Sequence, residues 1–69
     1  MESRLEWIEL QMDDKPENNL YYSVDNLDVR NIFITTGLIQ EVTIRFNNGH
    51  ERIINLKAVV LYDFEVKHK

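Results

Sequence analysis

Apolar and polar residues alternate most regularly in the second half of the chain. Between Leu38 and Phe46, the residues Leu38, Val42, Ile44 and Phe46 are apolar while Glu41, Thr43 and Arg45 are polar, with only Ile39 and Gln40 out of step. That period of two predicts a half-buried strand. The preceding run, Val29-Arg30-Asn31-Ile32-Phe33-Ile34-Thr35-Thr36, is dense in β-branched and aromatic residues and is expected to be a strand that turns at Gly37. A last strand is expected from Val59 to Lys67. Its face of Ala58, Val60, Tyr62, Phe64 and Val66 is expected to be core, with Asp63, Glu65 and Lys67 opposite. Val59 and Leu61 make its first half apolar on both sides, which predicts a central strand or burial against a second subunit.

The segment Asn47-Asn48-Gly49-His50 is the strongest local signal, because Asn and Gly accept positive φ at little cost and so favour a hairpin. Its register follows from charge. A two-residue loop at Asn48-Gly49 would set Arg45 against Arg52 and put Glu51 on the apolar face with Phe46. A three-residue loop, Asn47 to Gly49 with Gly49 left-handed, pairs Arg45 with Glu51 and Val42 with Ile54, and is the expected form.

The N-terminal third fits neither period cleanly. As a helix it would carry a capping box, Ser3 with Glu6, and an acidic stripe of Glu2, Glu6, Glu9 and Asp13, but its apolar residues would scatter around the wheel. As a strand it places Ile8, Leu10 and Met12 on one face and Leu5 with Trp7 on the other; a strand is the expectation. Residues 13–19 read as a loop around Pro16, residues 20–24 as a short strand, and residues 25–28 as a turn or one helical turn.

Composition supports the β reading: seven Asn, seven Ile and seven Leu accompany one Ala and two Gly, a poor mixture for a helical bundle. The 69 residues allow one domain, and a chain of this size buries only about 60% of its unfolded surface. Without Cys, neither disulfides nor thiolate metal sites can stabilise it, so a homodimer is a plausible support. The expected fold class is all-β or β-dominated α+β: residues 1–69 as a single small domain, a strongly bent antiparallel sheet or small barrel of five to six strands, with an acidic segment over 1–28 and a β-meander over 29–67. No apolar run reaches the length of a membrane span, and Met1-Glu2-Ser3-Arg4 does not resemble the start of a signal peptide; the expected location is the cytoplasm.

Charge is segregated. Residues 1–28 hold eight of the twelve carboxylates against Arg4 and Lys15, a net −6, while residues 29–69 carry +2. The inventory for catalysis is thin: His50 lies in the expected hairpin tip, His68 near the chain end, and neither Ser3 nor Ser23 has a glycine elbow, so no enzyme and no cofactor are expected. Asp13 with Asp14, and Asp25 with Asp28, lack the further ligands of a calcium loop, and no metal is expected. Direct nucleic-acid binding, with Arg45, Arg52 and Lys57 near Phe46 and Tyr21 or Tyr22, is opposed by the excess of carboxylates. The acidic end offers a different role. Glu2, Glu6, Glu9, Asp13, Asp14, Glu17, Asp25 and Asp28 can imitate a row of phosphates for a basic DNA-binding protein, with Trp7, Tyr21 and Tyr22 as apolar anchors. The competing reading is an acidic surface that serves solubility alone.

In length, acidity, lack of Cys and richness in Asn, Ile and Tyr, with strands such as Ile44-Arg45-Phe46-Asn47-Asn48-Gly49-His50-Glu51-Arg52-Ile53, the chain resembles the small early proteins that phages of Gram-positive bacteria make to disable host machinery. One such type, from a Bacillus phage, blocks the nucleoid protein HU by covering its DNA-binding region. The resemblance implies a phage-encoded inhibitor, a DNA mimic acting by protein–protein interaction in the bacterial cytoplasm, and it carries over no individual site residue. The alternatives are a small β-barrel nucleic-acid-binding module or a structural assembly subunit.

Overall fold

The computed structural model describes residues 1–68. Six strands, β1 (Glu2–Gln11), β2 (Leu20–Ser23), β3 (Val29–Thr35), β4 (Glu41–Phe46), β5 (Glu51–Asn55) and β6 (Leu61–Val66), form a curled antiparallel sheet in the shape of a half-barrel. The only helical pieces among the described residues are single 3₁₀ turns at Pro16–Asn18 and Leu56–Ala58. None is long and apolar enough to cross a membrane.

β1 organises the sheet. Its residues Trp7 to Leu10 are paired on both sides, with β2 on one edge and β6 on the other. Its first residues, Glu2 to Arg4, pair with β3, which continues through β4 to β5. β3 and β6 also flank opposite edges. Thr36 N–H donates to the Met1 carbonyl, whereas Lys67 N–H donates to the carbonyl of Arg4, three residues on, which points the other way. The expected meander therefore holds from β3 to β5 only. Leu56–Ala58, capped by the Asn55 side chain accepting from Lys57 N–H at 2.9 Å, redirects the chain, and β6 returns to β1.

A bulge in β1 explains why its apolar pattern fits no single period. Leu5 pairs with Val66 and Trp7 with Glu65, so Glu6 is an extra residue and the strand changes phase there. Leu5 consequently joins Ile8 and Leu10 in the core, and Trp7 stands on the opposite face, which corrects the expected grouping of Leu5 with Trp7.

The core lies on the concave side: Leu5, Ile8, Leu10, Val29, Ile32, Ile34, Val42, Ile44, Ile54 and Leu56 are buried, with Met12, Leu20, Tyr22, Val24, Phe46 and Val59 packed against them. The hairpin register is the expected one, Arg45 opposite Glu51 and Val42 opposite Ile54, with Gly49 at φ 90. Two expectations fail. Leu38 and Ile39 are exposed because the turn after β3 runs through Gln40 and delays β4 to Glu41. The last strand starts at Leu61 and is an edge, not a central strand. Tyr62, Phe64 and Val66 point to the core side opposite Leu10, Ile8 and Leu5, yet remain 38%, 37% and 40% exposed, and Val60 66%, because no strand of the described residues lies beyond β6.

Candidate functional site

Residues directly opposite one another in a sheet share a face, so the register assigns the outer, convex face without ambiguity. Over β2, β1 and β6 that face carries Tyr21 and Ser23, then Trp7, Glu9 and Gln11, then Leu61, Asp63 and Glu65. Glu9 stands between Tyr21 on one side and Asp63 on the other, and Trp7 between Ser23 and Glu65. The Trp7 and Tyr21 rings stack with centroids 6.3 Å apart and planes 27° from parallel. Two aromatic rings thus lie among three carboxylates.

Among the described residues none of these carboxylates takes part in a salt bridge. The one salt bridge among the described residues joins Arg45 Nε to Glu51 Oε2 at 3.1 Å, elsewhere on the sheet. Glu9 and Asp63 are both exposed and directly opposed, an arrangement that costs stability through like-charge repulsion.

Of the residues expected to bind a partner, the fold brings Trp7, Glu9 and Tyr21 together on this face. Glu6, half-buried at the bulge, adjoins it, with its carbonyl accepting from Val24 N–H at 3.0 Å. Asp13 is engaged locally, accepting from Lys15 N–H at 2.7 Å and from Asn18 Nδ2 at 2.8 Å. Asp14 and Glu17 are exposed in the same β1–β2 connection. Asp25 and Asp28 lie in the β2–β3 turn, where the Asp28 carbonyl accepts from Asn47 N–H. Glu2 stands at the other end of β1 opposite Thr35. Tyr22 is on the concave side, edge-on to Phe46, with its hydroxyl accepting from Arg52 Nη1 at 2.7 Å. The eight acids therefore do not form one row. Asp63 and Glu65 were the missing members of the patch: their alternation with Tyr62, Phe64 and Val66 is visible in sequence, but not that β6 lies beside β1.

The same outer face turns basic toward β3 and β4. The Arg4 and Arg45 guanidinium groups sit 5.6 Å and 5.4 Å from the Phe33 ring centroid. A second bulge, at Arg30, sets Arg30 and Asn31 against Arg45 at the mouth of an open cleft of about 320 Å³ that His50 and Glu51 also line. Asn31 Oδ1 is buried there without a hydrogen-bond partner. The cluster expected from sequence, Arg45 and Arg52 around Phe46, is split, because Arg45 faces outward and Arg52 inward. No group of three or more His, Cys, Asp or Glu side chains among the described residues is arranged to hold a metal ion.

Fold and site together define a small antiparallel β domain with an acidic, aromatic outer face. Comparison with known protein families, characterised proteins and solved structures yields no match, so the functional argument rests on the chemistry of that face.

Proposed function

We propose that the protein is a non-enzymatic acidic binding protein that covers the DNA-binding surface of a basic host protein and competes with DNA for it. The observation that carries this reading is the set Glu9, Asp63 and Glu65, without a salt bridge among the described residues, beside the Trp7–Tyr21 stack. Carboxylates two residues apart on one strand face, as Asp63 and Glu65 are, are spaced about 6.6 Å, on the scale of successive phosphates, and a second strand contributes another charge, Glu9, directly opposite Asp63. The negative field speeds encounter with a cationic surface, and the rings supply apolar area for the bound state. The acidic β1–β2 connection, with Asp14 and Glu17, extends the negative surface beyond the end of β1. A phage-encoded inhibitor acting in the bacterial cytoplasm on a nucleoid protein such as HU fits this chemistry.

The test is affinity capture from bacterial lysate followed by competition with duplex DNA at low and high salt. The expected result is a basic DNA-binding partner that DNA displaces and that high salt releases. A neutral partner indifferent to DNA defeats the proposal.

A second reading, a nucleic-acid-binding module, is favoured by the Arg4–Phe33–Arg45 cation–π cluster and the bulged Arg30 beside it. It predicts direct retention of labelled single-stranded RNA or DNA by the purified protein, lost in Phe33→Ala. It ranks second because Arg45 is already paired with Glu51.

A further inference from the structure

β6 is a sheet edge with its backbone and its side chains both unfinished. Lys67 N–H donates to Arg4, so Lys67 faces β1 and the alternate residues Val66, Phe64 and Tyr62 turn their N–H and C=O groups away from the sheet. The Phe64 N–H makes only a local bond, to Asp63 Oδ1 at 2.9 Å. The same three residues project their side chains to the core side, where Tyr62 and Phe64 stack at 6.1 Å and remain part-exposed beside fully buried Ile8 and Leu10. A strand added here would satisfy the outward backbone groups of Phe64 and Val66 and cover their side chains at once.

The strand that fits is β6 of a second copy. We infer that two chains associate through antiparallel β6–β6 pairing about a two-fold axis centred at Val66. Self-pairing joins the two concave apolar faces on the same side of one continuous sheet. The free edge at the far end of the strand order, β5, does not offer this. Its outward backbone groups belong to Glu51, Ile53 and Asn55, because Phe46 N–H donates to the His50 carbonyl and Leu56 N–H to the Gln40 carbonyl. Glu51 and its alternates carry their side chains on the convex face with Arg45, so joining β6 to β5 would set Tyr62, Phe64 and Val66 level with a polar outer surface.

Charge selects the register. With Phe64 on the axis, Asp63 of each chain faces Glu65 of the other. With Glu65 or Asp63 on the axis, that carboxylate faces its own copy, and with Tyr62 there Asp63 faces Leu61. With Val66 on the axis, Glu65 of each chain faces Lys67 of the other, and Phe64 faces His68. Among the registers centred on Tyr62 to Val66, this one alone gives a charged pair of opposite sign while setting no carboxylate against another. The inference shares Glu65 with the acidic-face reading but does not rest on that reading, since the free backbone edge and the inner face of β6 carry it.

Sedimentation and light scattering of the full chain over a wide concentration range test it. The expected result is a monomer–dimer equilibrium. Lys67→Glu, which turns both Glu65 pairs repulsive, weakens association by about tenfold. Combining Glu65→Lys with Lys67→Glu restores it, because the pair is then reversed in sign. Circular dichroism shows all variants folded, since positions 65 and 67 are exposed. A monomer at every concentration, an open-ended assembly, or a dimer indifferent to Lys67→Glu overturns the inference.

Discussion

Glu9 is placed where a stabilising sequence would not put it. It faces Asp63 directly across the β1–β6 ladder, both carboxylates are exposed, and no cation is paired with either among the described residues. Glu9→Gln removes that repulsion while keeping shape, and is expected to raise unfolding free energy by roughly 0.2–1 kcal/mol in urea titration. If the acidic face is the docking site, the same variant captures less partner. A gain in stability coupled to a loss of binding separates a functional charge from one kept for solubility. Gly49 shows the opposite relation between residue and fold. A Cβ there meets nothing within 4 Å, so its cost is purely that of φ +90. Gly49→Ala is expected to lower stability by about 1–2 kcal/mol, read from the urea midpoint, with no effect on binding.

At the scale of elements, two irregularities matter more than the regular strands. The Glu6 bulge lets one strand serve two neighbours in succession on the same edge and still bury Leu5, Ile8 and Leu10 together. The 3₁₀ turn Leu56–Ala58 buries Leu56 and sends the chain across to β1. Its one side-chain cap is the Asn55 carboxamide on Lys57 N–H, so Asn55→Ala is expected to cost about 0.5–2 kcal/mol in thermal or urea unfolding. Because that turn delivers β6, and with it Asp63 and Glu65, its loss should also loosen the acidic patch. Hydrogen exchange of the Trp7–Gln11 amides is expected to quicken in this variant before that of β3 and β4.

The whole molecule is a half-barrel whose outer face divides into an acidic part over β2, β1 and β6 and a basic part around Phe33. The charge split along the chain thus becomes a charge split in space only in part: Asp63 and Glu65 cross from the basic segment to the acidic face, Arg4 goes the other way, and Glu2 stays near it. Added salt is expected to act in opposite directions on the two properties of that face. It raises the melting temperature by a few degrees, by screening Glu9 from Asp63, and it weakens capture of a cationic partner; calorimetry and the capture assay at matched salt check both.

The strand run from Val29, the alternation over Glu41–Phe46, the Asn-Asn-Gly turn and the Arg45–Glu51 pairing were legible in the sequence because period-two burial, positive φ and facing charges are local properties. So was the strand nature of residues 2–11, though not its faces, since a bulge leaves no mark of its own in the residue order. Only tertiary structure decided that β6 returns to β1, which made an expected core face an exposed edge and built the acidic patch from residues more than fifty positions apart. The physical reason is that pairing between distant strands is set by which arrangement closes the most apolar surface for the whole chain, and no local pattern contains that comparison.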